Sequence, residues 1–236
     1  AKGINSQALI MVPTRELALQ IDQQVEGFAY FLPISSIAVY GGNDGIVFEQ
    51  QKRALLSGVN LIIATPGRLL ALLNMGSIKL KDTDFFILDE ADRMLDMGFY
   101  DDIVKLASFL PKKRQTLLFS ATMPIKIKDL AKRILQSPHE VQLSISKPAE
   151  NIKQSAYICF ENQKNKITQH ILSKQNTDSK IIIFSASKQK VKDLTYFTKR
   201  QKLSVAEIHS DLDQKTRENI LRDFKISSSV ASFFPN

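Results

Sequence analysis

The sequence predicts an α/β fold made of two successive units, each a doubly wound parallel sheet with helices packed on it. Three observations carry this expectation. Short continuous apolar runs alternate with longer amphipathic stretches, and such runs mark strands covered on both faces. Their alternation reads as consecutive β–α–β units. The pattern also halts at the polar, proline-containing stretch SISKPAENIKQ and then restarts.

In the first unit, residues 1–145, ALIMV (Ala8–Val12) is the opening strand, and an amphipathic helix follows from Arg15 to Phe31. SIAVY (Ser36–Tyr40) runs into Gly41-Gly42, and LIIAT (Leu61–Thr65) into Pro66-Gly67. FFIL (Phe85–Leu88) runs into a cluster of acids, and TLLFSA (Thr116–Ala121) into Thr122-Met123-Pro124. Residues 146–154 form a linker, and 155–236 the second unit. There IIIFSAS (Ile181–Ser187) reads as a buried strand, followed by a helix with Val191, Leu194 and Phe197 on one face. VAEIHSD is a further strand, with the helix DQKTRENILRDF behind it. The last eleven residues, ISSSVASFFPN, fit neither a helix nor an obvious buried strand. A native terminus, a truncation scar and a shifted reading frame all accommodate them, and on this reading the second unit is cut short.

Composition narrows the function classes. A hydrophobic share of 44% with 24% charged residues suits a globular protein in water. No apolar run reaches the roughly 20 residues that span a bilayer, and AKGINSQALI lacks the basic-then-apolar plan of a signal peptide. Cys159 is the single cysteine, which excludes an internal disulfide and favours a reducing cytoplasm. Inside YICF it reads as a buried structural thiol. The net charge of +8 divides into +1 over residues 1–145 and +7 over 146–236. A basic half suits an anionic partner, nucleic acid first, or a lysine-rich solvated surface.

Ligands of open parallel sheets bind beyond the carboxyl ends of the strands. Here five successive strands end in PTRE, GG, TPGR, DEAD and SAT, which marks that edge as a working rim. Asp89, Glu90 and Asp92 place three carboxylates within four residues. Such a cluster needs positive charge or a proton to handle. Asp89 suits a Mg²⁺ held through water and Glu90 a base for an attacking water. An acidic N-cap for the next helix accounts equally well for Asp-Glu alone.

Taken in order, PTRELALQ (Pro13–Gln20), Gly41-Gly42, ATPGRL (Ala64–Leu69), LDEADRMLDMGF (Leu88–Phe99) and SATM (Ser120–Met123) resemble the motifs of DEAD-box ATP-dependent RNA helicases. IIIFSAS and HSDLDQKTRENILRDF are similar to the family's early second-domain motifs, and MLDMGF to a bacterial, RhlE-like branch. The resemblance spans about residues 4–225. It implies two RecA-like domains, ATP and Mg²⁺ as cofactors, and RNA gripped by its backbone. It assigns Mg²⁺ coordination to Asp89 and the catalytic base to Glu90. Asp92 with the Ser120 and Thr122 hydroxyls becomes the group that couples hydrolysis to strand separation. Arg15, Gly41, Gly42, Thr65, Gly67 and Arg68 become RNA-backbone contacts. That agrees with the chemistry of exposed glycine N–H groups, helix N-termini and forked guanidinium heads. Gln214 and Arg217 match the family's second-domain QxxR, and a solvated helix face suits them as well. Ser210 stands where the family has glycine, which questions whether the backbone turns the same way there. His139 and His170 carry no motif, and no His/Cys spacing suggests zinc.

Phosphate-loop chemistry needs G-x-x-x-x-G-K-[ST]. None of the nine glycines here is followed by lysine. The resemblance places that loop upstream of PTREL and the arginine fingers beyond the last residues. The expectation is therefore a helicase fragment, first domain incomplete at its N-terminal side and second at its C-terminal side, without ATPase activity by itself. A non-catalytic RNA-binding or scaffolding protein is the alternative.

Overall fold

The structure, a computed structural model, describes residues 6–42, 45–76, 78–143, 152–175, 179–200, 204–226 and, as backbone, 231–235. The chain divides into two compact units, Ala1–Leu143 and Ser144–Asn236. Most of the expected linker 146–154 lies outside the described residues.

The first unit holds β1 (Ala8–Met11), β2 (Ser36–Val39), β3 (Leu61–Ala64), β4 (Phe85–Leu88) and β5 (Gln115–Leu118). All pair in parallel, in the order β2-β3-β1-β4-β5. The helices are α1 (Arg15–Phe28), α2 (Gly45–Ser57), α3 (Pro66–Asn74), α4 (Ala91–Asp96), α5 (Tyr100–Ser108) and α6 (Ile125–Ile134). Thr14 caps α1 by accepting the Leu17 N–H (3.3 Å). The helix stops at Phe28, short of the expected Phe31. A turn from Ala29 to Leu32 closes it (2.8 Å), and Pro33 keeps Leu32 out of helical geometry. Pro66, needing no N–H, opens α3.

Leu9, Met11, Phe86 and Leu88 point from the sheet into one large core, against Leu69 and Leu72 of α3, Ile103 and Leu106 of α5, and Ile127 and Leu130 of α6. The other face is covered where α1 sets Ala18 on Val12, Ala38 and Ile63. That cover ends before the β4–β5 side. Phe85 is 45% and Phe119 53% exposed. The expectation that each apolar run is buried on both faces therefore fails here, because α1 spans only part of its face. The expected strand Thr116–Ala121 is also shorter, although the Phe119 N–H still bonds the Leu88 carbonyl (2.8 Å).

In the second unit β6 (Ile181–Ser185), β8 (Ala231–Pro235) and β7 (Val205–Glu207) pair in parallel in that spatial order. Its helices are α7 (Lys164–Ser173), α8 (Lys188–Lys199) and α9 (Gln214–Ile226). β8 corrects the reading of the last eleven residues, because it is the central strand of the three. Ser232 and Pro235 leave it little local strand signal, so its pairing comes from its neighbours. Ile182 and Phe184 of β6 are largely exposed, again against the two-faced expectation. Cys159 is also not buried as expected. It is half-exposed in a stretch, 152–160, without helix or strand.

Candidate functional site

Because the five strands run parallel, their carboxyl ends fall on one edge of the first unit. The β4–α4 junction stands near its middle. The Asp89 N–H bonds the Met11 carbonyl of β1 (2.9 Å), and its Oδ1 accepts the Glu90 N–H (2.9 Å). Both side chains are half-buried. Glu90 holds left-handed backbone, φ 50° and ψ 49°. L-residues pay about 1–2 kcal/mol for that region, and strain of this kind gathers at working sites. The Glu90–Arg93 ion pair (3.7 Å) is exposed and contributes little.

One residue into α4, Asp92 reaches across to the loop after β5. Its Oδ2 accepts both the Thr122 hydroxyl (2.7 Å) and the Thr122 N–H (3.0 Å). Ser120 stands one step behind, its hydroxyl donating to the Thr122 carbonyl (2.7 Å). Partial burial pushes the Asp92 carboxyl up, but bonds from Thr122, the Arg93 N–H and the Ser120 hydroxyl outweigh it and hold the group below the usual aspartate range. The Ala91 N–H bonds the Phe119 carbonyl (3.0 Å), tying the same two junctions by backbone.

The other half of the edge is basic and glycine-rich. Arg68 Nη2 donates to the Gly42 carbonyl (3.2 Å). Arg15 Nη1 comes within 3.8 Å of where a Gly42 Cβ would stand. Two guanidinium groups from the first turns of different helices, α1 and α3, thus converge on one glycine. A Cβ at Gly41 or Gly67 would meet nothing within 4 Å, and none of the three glycines needs left-handed backbone. Thr65 precedes α3 without spending its hydroxyl on a cap, and Pro66 at the first position has no N–H to satisfy.

Nothing among the described residues groups three or more His, Cys, Asp or Glu as a resident metal site. The Asp89–Glu90 pair suits Mg²⁺ that arrives with a phosphate ligand and keeps most of its waters. Of the residues expected from the sequence, Arg15, Gly42, Thr65, Gly67, Arg68, Asp89, Glu90, Asp92, Ser120 and Thr122 all lie along this edge. Gln214 and Arg217 sit in the first turn of α9 in the second unit, where Gln214 Nε2 donates to Glu218 (3.1 Å). Ser210 does without left-handed backbone, and the next N–H, of Asp211, bonds the buried His209 (3.3 Å). His139 and His170 are exposed. Sequence reasoning missed Tyr40 and Phe48, whose rings lie under Arg15 and Arg68 at 4.6 and 4.7 Å. Tyr40's place directly before Gly41-Gly42 was the available signal, and Phe48 offered none.

Fold and edge together define an α/β protein of the RecA-like type. The chain belongs to the DEAD/DEAH box helicase family, whose profile matches residues 1–130, with the helicase conserved C-terminal domain matching 163–233. It is 39% identical over 219 residues to the DEAD-box ATP-dependent RNA helicase CshA of Streptococcus pneumoniae, covering 93% of this chain and 41% of the relative. It is 37% identical over 225 residues to the ATP-dependent RNA helicase DBP2 of Candida glabrata, with 94% and 41% covered. The chain thus spans well under half the length of these relatives. Among solved structures, S. cerevisiae Dbp5 bound to Gle1 and IP6 superposes with a TM-score of 0.72 at 28% identity, covering 98% of this chain and 57% of that one. Among the described residues no helix is long and apolar enough to cross a membrane.

Proposed function

We propose that this chain contributes the catalytic carboxylates and much of the RNA-backbone grip of an ATP-dependent RNA helicase, acting in the cytoplasm on RNA with little base preference. The observation that carries the proposal is the convergence of Arg15 and Arg68 on Gly42, along the same edge as Asp89 and Glu90. Asp89 would hold Mg²⁺ through water, and the ion would supply charge neutralisation at the nucleotide phosphates. Glu90 orients the attacking water and accepts its proton. The Arg15 and Arg68 heads, the glycine N–H groups and the α3 N-terminus hold phosphates of one RNA strand. Such contacts read backbone rather than bases. Asp92 and Thr122 join the carboxylate loop to the Ser120–Thr122 loop, so a shift at the nucleotide is passed along the edge.

The residues present do not include a phosphate loop, so these 236 residues alone are expected not to turn over ATP. Phosphate release in the presence of RNA is expected to match that of a Glu90→Gln variant; a clear excess would overturn the fragment reading. RNA binding is tested separately, by anisotropy of a labelled single strand. Arg15→Ala and Arg68→Ala are each expected to weaken binding about tenfold and to flatten its logarithmic salt slope by about 0.7. Gly67→Ala sharpens the test. It meets nothing in the chain and should leave the fold as stable or slightly more so. A loss of RNA affinity in that variant reports close approach of the strand, and unchanged affinity argues against the grip.

A further inference from the structure

Two charged heads at a rim are useful only if they stay where the phosphates arrive. Arginine side chains are long, and holding one still costs rotamer freedom. Each rim arginine here has a platform. Arg15 Cζ lies 4.6 Å from the centre of the Tyr40 ring, and Arg68 Cζ 4.7 Å from that of Phe48. The rings are themselves fixed by apolar packing, Tyr40 beside the cluster under α1 and Phe48 beside the main core. Both belong to one connection. Tyr40 ends the β2 side immediately before Gly41-Gly42, and Phe48 lies in the first turn of α2. The Gly42 carbonyl that receives Arg68 lies between them.

We infer that Tyr40 and Phe48 are positioning residues for RNA binding. The residues at the two ends of the β2–α2 connection gather one arginine from the start of α1 and another from the start of α3, and present both heads, stacked and preoriented, to consecutive phosphates. The rings touch no phosphate. They act by limiting where each guanidinium can go, and a flat guanidinium stacks on a ring in a way an ammonium does not. This inference rests on the RNA-backbone reading of Arg15 and Arg68 and names the groups that make it effective.

The test is a set of double-substitution cycles on the 236-residue chain, read as affinity for a labelled short oligouridylate, with thermal melts to confirm folding. Tyr40→Leu and Phe48→Leu keep apolar bulk and are each expected to weaken binding about two- to fivefold. Tyr40→Phe and Phe48→Tyr keep a ring and are expected to bind as the parent does. Tyr40→Leu should have no further effect once Arg15 is alanine, yet keep its effect when Arg68 is alanine; Phe48→Leu should mirror this. Ring effects that persist undiminished after loss of their own arginine would overturn the inference, as would Leu variants that bind normally. If Arg15→Ala and Arg68→Ala themselves leave affinity unchanged, the RNA reading falls and this inference with it. Arginine effects without ring effects sink the inference alone.

Discussion

The two units were built from the same alternation of strand and helix, and they differ in how far their layers close. In the first, Leu9, Phe86, Leu72, Ile103 and Leu130 have no exposure at all, and helices pack a large core on one face of the sheet. Among the described residues of the second, Val191 is the one buried member of its apolar cluster, and no residue of α9 is buried. Stability follows apolar area removed from water, so the same strand-and-helix alternation does not mean equal stability. The carboxylates and rim arginines stand on the well-filled unit, whereas Gln214 and Arg217 stand on the sparsely filled one.

The largest way to break this comparison is to open the core of each unit. Phe86→Ala is expected to cost the first unit about 3–5 kcal/mol, and Val191→Ala about 1–2 kcal/mol in the second. Urea unfolding should show the first change as a shifted cooperative transition. The second change should move the second unit's transition to a lower midpoint, because among its described residues Leu172, Val191 and Ile208 are the buried apolar side chains. A second unit that starts out harder to unfold in urea than the first contradicts the contrast.

A smaller effect probes the rim itself. Glu90→Gly is expected to stabilise the first unit by about 1 kcal/mol, because glycine accepts left-handed backbone without the cost that glutamate carries. Denaturation midpoints of the two proteins measure it directly, and a destabilised variant would mean that Glu90 is not strained.

The finest comparison is between two carboxylates. In the second unit Asp211 is held down to about 2 by hydrogen bonds from the Lys188 and Lys192 ammonium groups. Asp92 in the first is lowered by hydroxyl and amide donors against the opposing effect of burial. Both are depressed in the folded state. Each therefore adds stability above the ordinary aspartate pKa and loses it as the pH falls through the folded value. Salt screens exposed ion pairs far more than bonds from neutral donors. Carboxyl NMR titrations at low and high salt should show Asp211 drifting upward while Asp92 holds, and Thr122→Val should raise Asp92 alone. Equal drift in both would remove the distinction.

Much of this was legible before any coordinates. FFIL stopping at DEAD, and four other strands stopping in loops of matching polarity, located the edge because a parallel sheet puts every carboxyl end on one side. What the sequence did not reveal was cover. Phe85 and Phe119 look like core residues in a string and are half-exposed because α1 does not reach them. β8 was missed because Ser232 and Pro235 interrupt it and its ladder is supplied by strands distant in sequence. Tyr40 and Phe48 were passed over for a related reason. Their partners stand on other helices, α1 and α3, and only Tyr40, set directly before Gly41-Gly42, has a local sign of its place.

The bond from Thr122 to Asp92 carries one further mechanical consequence. Two neighbouring strand tips are stapled by a single side chain and again by the Ala91 amide on Phe119. Separating the two tips would break the Asp92–Thr122 bonds and the Ala91–Phe119 bond together, so their spacing is set by three hydrogen bonds from two sources, side chain and backbone.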